Sequence, residues 1–115
     1  MKTIISGSRE ITDPRIVEEA ILRSKFHITE IVSGACRGVD QMGEDWARVN
    51  NLPVSKFPAD WKTHGRAAGP MRNARMACYA DSLIAVWDGK SRGTKNMIDL
   101  ARQHGLQVYV QPVRL

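Results

Sequence analysis

Residues 30–49 read EIVSGACRGVDQMGEDWARV and contain three patterns in succession. Residues 30–33 form a short apolar run typical of a β-strand, and residues 34–38 form a glycine-rich turn with one arginine. After the turn, apolar side chains recur at the spacing of one helix face, at Val39, Met42, Trp46 and Val49. A strand that passes through such a turn into a helix is the building unit of a parallel α/β sheet.

The same alternation continues along the rest of the chain. Further strands are predicted at residues 3–6, 53–57, 82–87 and 107–110, and further helices are predicted to begin at Pro14, Pro70 and Thr94. Asp13 and Thr94 are predicted N-caps. Residues 82–87 are the most hydrophobic run, which favours a central strand, whereas residues 53–57 carry a proline and a lysine that suit an edge.

This alternation predicts the α/β class. We expect a Rossmann-like, doubly wound, mostly parallel five-stranded sheet with helices on both faces, in a single domain spanning residues 1–115. In such a sheet, ligands bind outside the carboxyl ends of the strands, where the strand order reverses.

Composition and charge indicate the cellular environment of the protein and the class of its partner. Met1-Lys2 leads directly into a run too short for a secretory signal, and no apolar stretch approaches the ~20 residues of a membrane span. With Cys36 and Cys78 as its two cysteines, the chain is expected in a reducing, cytoplasmic environment. The net charge of +5 permits nucleic acid as a partner, but the basic residues form no run, which favours a small anionic ligand.

Four loops combine glycine with basic or polar residues, and each follows a predicted strand or opens a predicted helix. Glycine lets backbone N–H groups approach a ligand closely, arginine adds a charged fork, and a helix N-terminus adds free donors. Together the loops predict a phosphate pocket. The candidate ligand-binding residues in and between them are Gly7, Ser8, Arg9, Ser33, Gly34, Ala35, Arg37, Gly38, Asp40, Asp60, Trp61, Arg66, Arg72, Asn73, Asp88, Ser91, Gly93 and Thr94.

For several of these residues, a purely structural role is the alternative interpretation. Thr94 serves either as a helix cap alone or also as a phosphate contact. Arg72, in the first turn of its predicted helix, contacts an anion, lies on the surface, or pairs with a carboxylate such as that of Asp81. Asp40 holds a ribose hydroxyl, orients Arg37, or is simply the acidic residue at the start of its helix.

The long segment between residues 58 and 69 has no periodicity and is predicted as a loop. Trp61 within it either stacks on a nucleobase or covers the end of the sheet. The three histidines are far apart in sequence, so no metal site is predicted. Cys36 lies in a glycine-rich loop near a helix start, but no histidine accompanies it, and it is not predicted to be a nucleophile.

Taken jointly, the motifs resemble the SLOG superfamily, whose Rossmann-like fold is shared by the DNA-processing protein DprA and the LOG nucleotide phosphoribohydrolases. Within it, the chain is most similar to the small YspA-like, YpsA-related members of bacteria and phages. The motifs that carry the resemblance are Gly7-Ser8-Arg9, VSGACRGVD at 32–40, FPADW at 57–61, GRAAGPMRN at 65–73, Met76, Ala80-Asp81 and SRGT at 91–94.

The resemblance implies binding or sensing of a nucleotide-derived ligand, such as an ADP-ribose-like, cyclic or modified nucleotide, including sequestration of a signalling nucleotide. It also implies a homodimer or higher homo-oligomer. LOG enzymes have an arginine–lysine pair and a catalytic glutamate, and the matching positions here are Asn73 for the lysine and Asn96 for the glutamate. An amide cannot act as a general acid or base, so no catalytic residue and no cofactor are predicted.

Two alternatives stay open at this stage. One is a hydrolase of a nucleotide N-glycosidic or phosphate bond in which Asp40, Asp60 or Asp88 replaces the missing glutamate. The other is single-stranded DNA binding in the manner of DprA, which follows from the positive charge.

Overall fold

The computed structural model describes residues 1–114, in which strands and helices alternate. The elements are β1 (Lys2–Gly7), α1 (Pro14–Ser24), β2 (Glu30–Ser33), α2 (Val39–Val49), β3 (Val54–Lys56), α3 (Trp61–His64), a 3₁₀ turn (Gly65–Ala67), α4 (Ala68–Tyr79), β4 (Ser82–Trp87), α5 (Arg92–Gln103) and β5 (Gln107–Pro112). In this described part, no helix combines the length and the apolar character that crossing a membrane requires.

The five strands form one sheet in the order β3-β2-β1-β4-β5, and every neighbouring pair is parallel. The predicted Rossmann-like α/β fold is therefore confirmed, with β3 at an edge and β4 inside the sheet. From β1 the chain winds outward through β2 and β3, then crosses back to pair β4 with the other side of β1. The strand order thus reverses between β1 and β4, which is where this class of sheet opens a crevice.

Helices cover both faces of the sheet, because successive strand residues point to opposite sides. Ile4 of β1 packs into a core with α4 and α5, whereas Ile5 packs into a second core with α1 and α2. The final helix buries Met97, Ile98 and Ala101, as its apolar spacing predicts.

The predicted N-cap of α1 is confirmed, whereas that of α5 is not. Asp13 caps α1 by accepting the Arg15 N–H, with Pro14 at the first helical position. At α5, however, the cap is Ser91, whose hydroxyl accepts the Thr94 N–H, so the predicted cap at Thr94 is wrong. Both serine and threonine are favourable N-caps, and serine, the better of the two, takes the position here.

The predicted start of α4 at Pro70 is also wrong, since the helix begins at Ala68. The segment before it, predicted as a loop, contains α3 and the 3₁₀ turn. Asp60 caps α3 by accepting the Thr63 N–H at 3.2 Å. These turns are too short for apolar periodicity to reveal.

The predicted apolar face of α2 is largely confirmed but incomplete. Val39 is buried, and Met42 and Trp46 are half-buried against the core, whereas Val49 is 80% exposed. The helix also buries Asp40, Gly43 and Glu44. In α4 the buried face likewise carries Arg72 and Asn73, rather than the predicted stripe of Met71, Ala74 and Cys78. Hydrophobic periodicity locates the buried face of a helix only where that face is apolar, and these two helices bury polar side chains.

Gly7 ends β1 where the backbone of β4 and helix α2 approach most closely. A Cβ at Gly7 would clash with the Val86 carbonyl oxygen and would lie 2.8 Å from Cγ2 of Val39. The carbonyl belongs to the sheet and cannot move aside, so residue 7 must be glycine for the two strands and the helix to meet.

We predict that Gly7→Ala lowers the free energy of unfolding by about 3 kcal/mol, the upper end of the cost of overpacking. Urea denaturation gives the measurement. Gly93→Ala is the matched control, because a Cβ at Gly93 meets no described atom within 4 Å. An unfolding midpoint for Gly7→Ala equal to that of the control would contradict the prediction.

Candidate functional site

A cavity of about 620 Å³ opens at the carboxyl edge of the sheet, where the strand order reverses. This volume suits a small organic ligand. Parallel strands end at the same edge, so loops that are distant in sequence meet there. Most of the predicted site residues line the cavity, namely Gly7, Ser8, Arg9, Asp40, Trp61, Arg72, Asn73, Asp88, Ser91, Gly93 and Thr94.

Other predicted site residues lie outside the cavity lining: Ser33, Gly34, Ala35, Arg37, Gly38, Asp60 and Arg66. Arg37 is exposed and pairs with Glu10 at 3.2 Å, so it is not oriented by Asp40. Ser33 is buried and donates to Glu44 at 2.6 Å.

The glycines of the β2–α2 loop have structural roles. Gly38 has a φ of 78°, and a Cβ there would lie 2.7 Å from the Arg9 carbonyl oxygen. This close approach brings the β2–α2 loop onto the loop that follows β1. Arg9 then donates to Sγ of Cys36 at 3.7 Å, which places both residues in the cavity lining.

Sequence reasoning missed several residues that line the cavity: Ser6, Glu10, Cys36, Gly69, Pro70, Met76, Lys90, Arg92 and Asn96. Lys90 and Arg92 belong to the same loop as the predicted Ser91 and Gly93, so their charge was the available signal. Asn96 lies one turn into α5 and accepts a hydrogen bond from the Asn73 amide at 2.9 Å. The resemblance to LOG enzymes had marked both positions, but nothing in the sequence indicated that the two amides bond to each other.

Arg72 is buried, with 8% of its surface exposed, one turn into α4 rather than at its start. Its Nε donates to Asn73 Oδ1 at 2.9 Å, and its Nη1 donates to the carbonyls of Gly34 and Phe57. Its Nη2 has one partner among the described residues, Sγ of Cys36 at 3.9 Å. The guanidinium is therefore held in place by neutral acceptors, and one side of it is left without a strong acceptor.

The alternative interpretations of Arg72 as a surface residue or as the partner of Asp81 are both wrong. Asp81 lies before β4 and accepts the Lys2 N–H at 2.8 Å. Arg72 takes part in none of the ion pairs within residues 1–114. Burying a cation without a paired carboxylate costs stability, and an anion placed beside the guanidinium would lower that cost.

Asp40 is the second buried charge of the cavity, with 5% of its surface exposed. It lies in the first turn of α2 and accepts the Cys36 N–H at 3.4 Å, and the N–H of Gly7 also favours its ionised form. Burial raises the pKa of Asp40 to about 6, although Arg72 and these N–H groups act in the opposite direction.

Gly34 lies between the two buried charges. A Cβ at this residue would lie 2.8 Å from Nη1 of Arg72 and 2.8 Å from Oδ2 of Asp40. Glycine therefore leaves the guanidinium and the carboxyl facing the same small space.

The loop between β4 and α5 is held by its own hydrogen bonds. Asp88 accepts N–H groups from Lys90 at 2.8 Å and Ser91 at 2.9 Å, and these bonds lower the pKa of Asp88. The first-turn N–H groups of α5 have no intrahelical acceptors. At Gly93 the helix start is open, since no described atom lies within 4 Å of the position that a Cβ would take.

Trp61 forms the outer rim of the cavity and is 50% exposed. Its ring lies over Gly69, where a Cβ would come within 3.3 Å of Cη2. Among residues 1–114, no group of three or more histidine, cysteine, aspartate or glutamate side chains is placed to hold a metal ion.

Comparison with known proteins agrees with the fold and the motifs. Residues 1–64 match the model of the YspA, cpYpsA-related SLOG family. The chain is also 32% identical over 117 residues to the Gene 61 protein of Mycobacterium phage D29, with 93% of each chain covered. No solved structure matches the chain. The chain therefore belongs to the YspA, cpYpsA-related SLOG family, which confirms the resemblance inferred from its motifs.

The raised pKa of Asp40 gives a stability prediction. The folded protein binds this proton more tightly than the unfolded chain, whose pKa is near 3.8, so the ionised carboxyl destabilises the fold above about pH 6. The penalty disappears as the pH falls through 6 towards 4. Asp40→Asn should therefore raise the free energy of unfolding at pH 7.5 by on the order of 2 kcal/mol, and by much less at pH 4.

Urea denaturation of both proteins at the two pH values measures this difference. Asp45→Asn is the control, because Asp45 is an exposed carboxylate on the same helix. If Asp40→Asn is no more stable than the unmodified protein at pH 7.5, the carboxyl carries no burial penalty.

Proposed function

We propose that the protein binds a nucleotide-derived ligand in this cavity and does not convert it. The observation that carries the proposal is the buried guanidinium of Arg72, which is fixed by neutral acceptors and lines a cavity with three further cations, Arg9, Lys90 and Arg92. A ligand phosphate supplies the negative charge that Arg72 lacks. Charge-assisted hydrogen bonds of this kind contribute about 1.5–3 kcal/mol each.

The start of α5 supports a second phosphate contact. Its first-turn N–H groups and its positive dipole end favour an anion. The side chains of Lys90 and Arg92 flank this start and line the cavity. Gly93 leaves the backbone accessible, since no described side chain or backbone atom occupies the space beside it.

An aromatic side chain at the rim of the cavity supports a binding position for the nucleobase. Trp61 presents a half-exposed indole at the opening of the cavity, next to the bare backbone of Gly69. Stacking of a base on an aromatic ring contributes about 1–3 kcal/mol and tolerates any base. The arrangement favours a ligand that carries a base as well as phosphate.

The carboxyl groups of the cavity favour binding over hydrolysis. Asp60 caps α3 and lies outside the lining, and Asp88 is engaged by the N–H groups of its own loop. The LOG-like positions for a lysine and a glutamate are two amides, Asn73 and Asn96, bonded to each other. Glu10 also lines the cavity but pairs with Arg37 at 3.2 Å. Of the three aspartates considered for the hydrolase alternative, Asp40 is the one left.

Isothermal titration tests the proposal. With protein freed of co-purified ligand by unfolding and refolding, we expect AMP, ADP-ribose and a cyclic nucleotide to include at least one binder of micromolar affinity or better. Because Trp61 adds stacking, AMP should bind more tightly than ribose 5-phosphate. Chromatography of the same mixtures should recover the nucleotide intact. Failure of every nucleotide to bind, or release of free base or phosphate, would refute binding without conversion.

Gly93→Ala tests whether Gly93 is needed for ligand binding rather than for folding. The added methyl meets no described atom, and alanine is the better helix former, so unfolding stability should stay equal or rise. The methyl would occupy space beside the α5 backbone where a phosphate approaches, and we expect the affinity for the best-binding nucleotide to fall tenfold or more. Unchanged affinity in this variant would place the phosphate elsewhere.

Further parts of the assignment stay predictions from the sequence. A binder without turnover acts as a sensor of its ligand or sequesters it, and the chemistry of the cavity is the same in both cases. Assembly into a homodimer and a cytoplasmic location stay predictions as well.

A further inference from the structure

The two buried charges of the cavity face the same space on either side of Gly34. Arg72 reaches it from α4, and Asp40 reaches it from the first turn of α2. Both residues line the cavity, and Nη1 of Arg72 and Oδ2 of Asp40 lie close to the same point, so an anion bound beside the guanidinium also lies near the carboxyl. We propose that Asp40 takes up a proton when a ligand phosphate binds beside Arg72, so that binding at this site is coupled to protonation. This inference rests on the proposed function and specifies its chemistry.

The groups around Asp40 act on its pKa in both directions: burial and Glu44 raise it, whereas Arg72 and nearby N–H groups lower it. From α4 it faces the guanidinium of Arg72, and from its own helix it faces the carboxyl of Glu44. The loop after β2 contributes the Cys36 N–H, and the last residue of β1 contributes the Gly7 N–H. The guanidinium of Arg9, in the loop after β1, contacts Sγ of Cys36.

Glu44 is already engaged and does not compete for the ligand. It accepts the Ser33 hydroxyl at 2.6 Å and pairs with Lys56 of β3 at 3.4 Å. Glu44 is buried like Asp40, but it does not line the cavity. Asp40 is therefore the buried carboxyl that a bound anion meets.

A bound phosphate repels the ionised carboxyl of Asp40, because both groups are negatively charged. Near pH 7 the carboxyl of Asp40 is mostly ionised in the free protein, since its pKa is about 6. A phosphate nearby adds a second negative charge in a site already shielded from water, and a like charge disfavours ionisation. Protonation removes the repulsion and turns the carboxyl into a hydrogen-bond donor to a phosphate oxygen.

A different ligand geometry predicts the opposite behaviour. If a sugar hydroxyl of the ligand donates to Asp40, the ionised carboxylate is the binding form. Acidification then weakens binding, and removal of the charge weakens it further. The sign of the proton exchange distinguishes the two geometries.

The experiment uses two anions whose own charge is constant between pH 5 and 9, sulfate and ADP-ribose. Titration calorimetry at pH 7 in buffers of different ionisation enthalpy measures the protons exchanged, and we expect an uptake approaching about 0.9 per bound anion. The affinity of the unmodified protein should fall about tenfold or more between pH 6 and pH 8.

Asp40→Asn removes the titrating group but keeps the shape of the side chain. This variant should bind both anions without proton uptake, with little dependence on pH, and about tenfold more tightly than the unmodified protein at pH 8. Glu44→Gln is the matched control from the same helix, and it should retain both the proton uptake and the pH dependence. Circular dichroism establishes that each variant is folded.

The outcomes separate the two proposals. Binding with no proton uptake, or binding that weakens in Asp40→Asn, overturns the coupling and leaves the proposed function in place. Proton release overturns it in favour of a hydroxyl on Asp40. If the unmodified protein binds neither anion nor any nucleotide at any pH, the proposed function fails and this inference fails with it.

Discussion

The hydrogen bonds of the buried Arg72 guanidinium connect the parts of the structure from which the cavity is made. Its Nη1 donates to the carbonyl of Gly34 after β2 and to the carbonyl of Phe57 after β3, while its Nε donates to Asn73 within α4. One side chain thereby joins α4 to the ends of two strands. These acceptors are neutral, and within residues 1–114 the guanidinium forms no ion pair with the Asp40 carboxyl that faces it, so its positive charge is only partly compensated.

The parallel sheet supplies the setting for this charge. Loops that leave β1, β2 and β4 meet at one edge because all five strands run in the same direction. Gly7 allows β1, β4 and α2 to approach one another closely, and Gly34 leaves room for two charged groups to face each other. The glycines at these positions are required by the protein's own atoms, whereas the space beside Gly93 is empty and available to a ligand.

Two helices bury polar side chains at this edge, and this is a cost to stability. The carboxyl of Asp40 is destabilised by burial, and Arg72 only partly offsets that penalty. Ser33 and Lys56 satisfy the neighbouring Glu44, so the polar layer under the cavity is hydrogen-bonded rather than empty. A protein selected for stability alone would place apolar side chains here. The polar layer therefore supports the proposed binding function.

The amino-acid sequence by itself determined the α/β fold, the edge position of β3, the interior position of β4 and the edge of the sheet where the glycine-rich loops meet. These features depend on local patterns of apolar and turn-forming residues, which act over a few positions along the chain. Only the tertiary structure decided that α2 buries Asp40 and Glu44 and that α4 buries Arg72 and Asn73. It also decided that Ser91 caps α5 and that Arg72 bonds to Gly34. The physical reason is that polar side chains are buried by partners far away in sequence, 38 residues away in the case of Arg72 and Gly34, and periodicity records no such pairing.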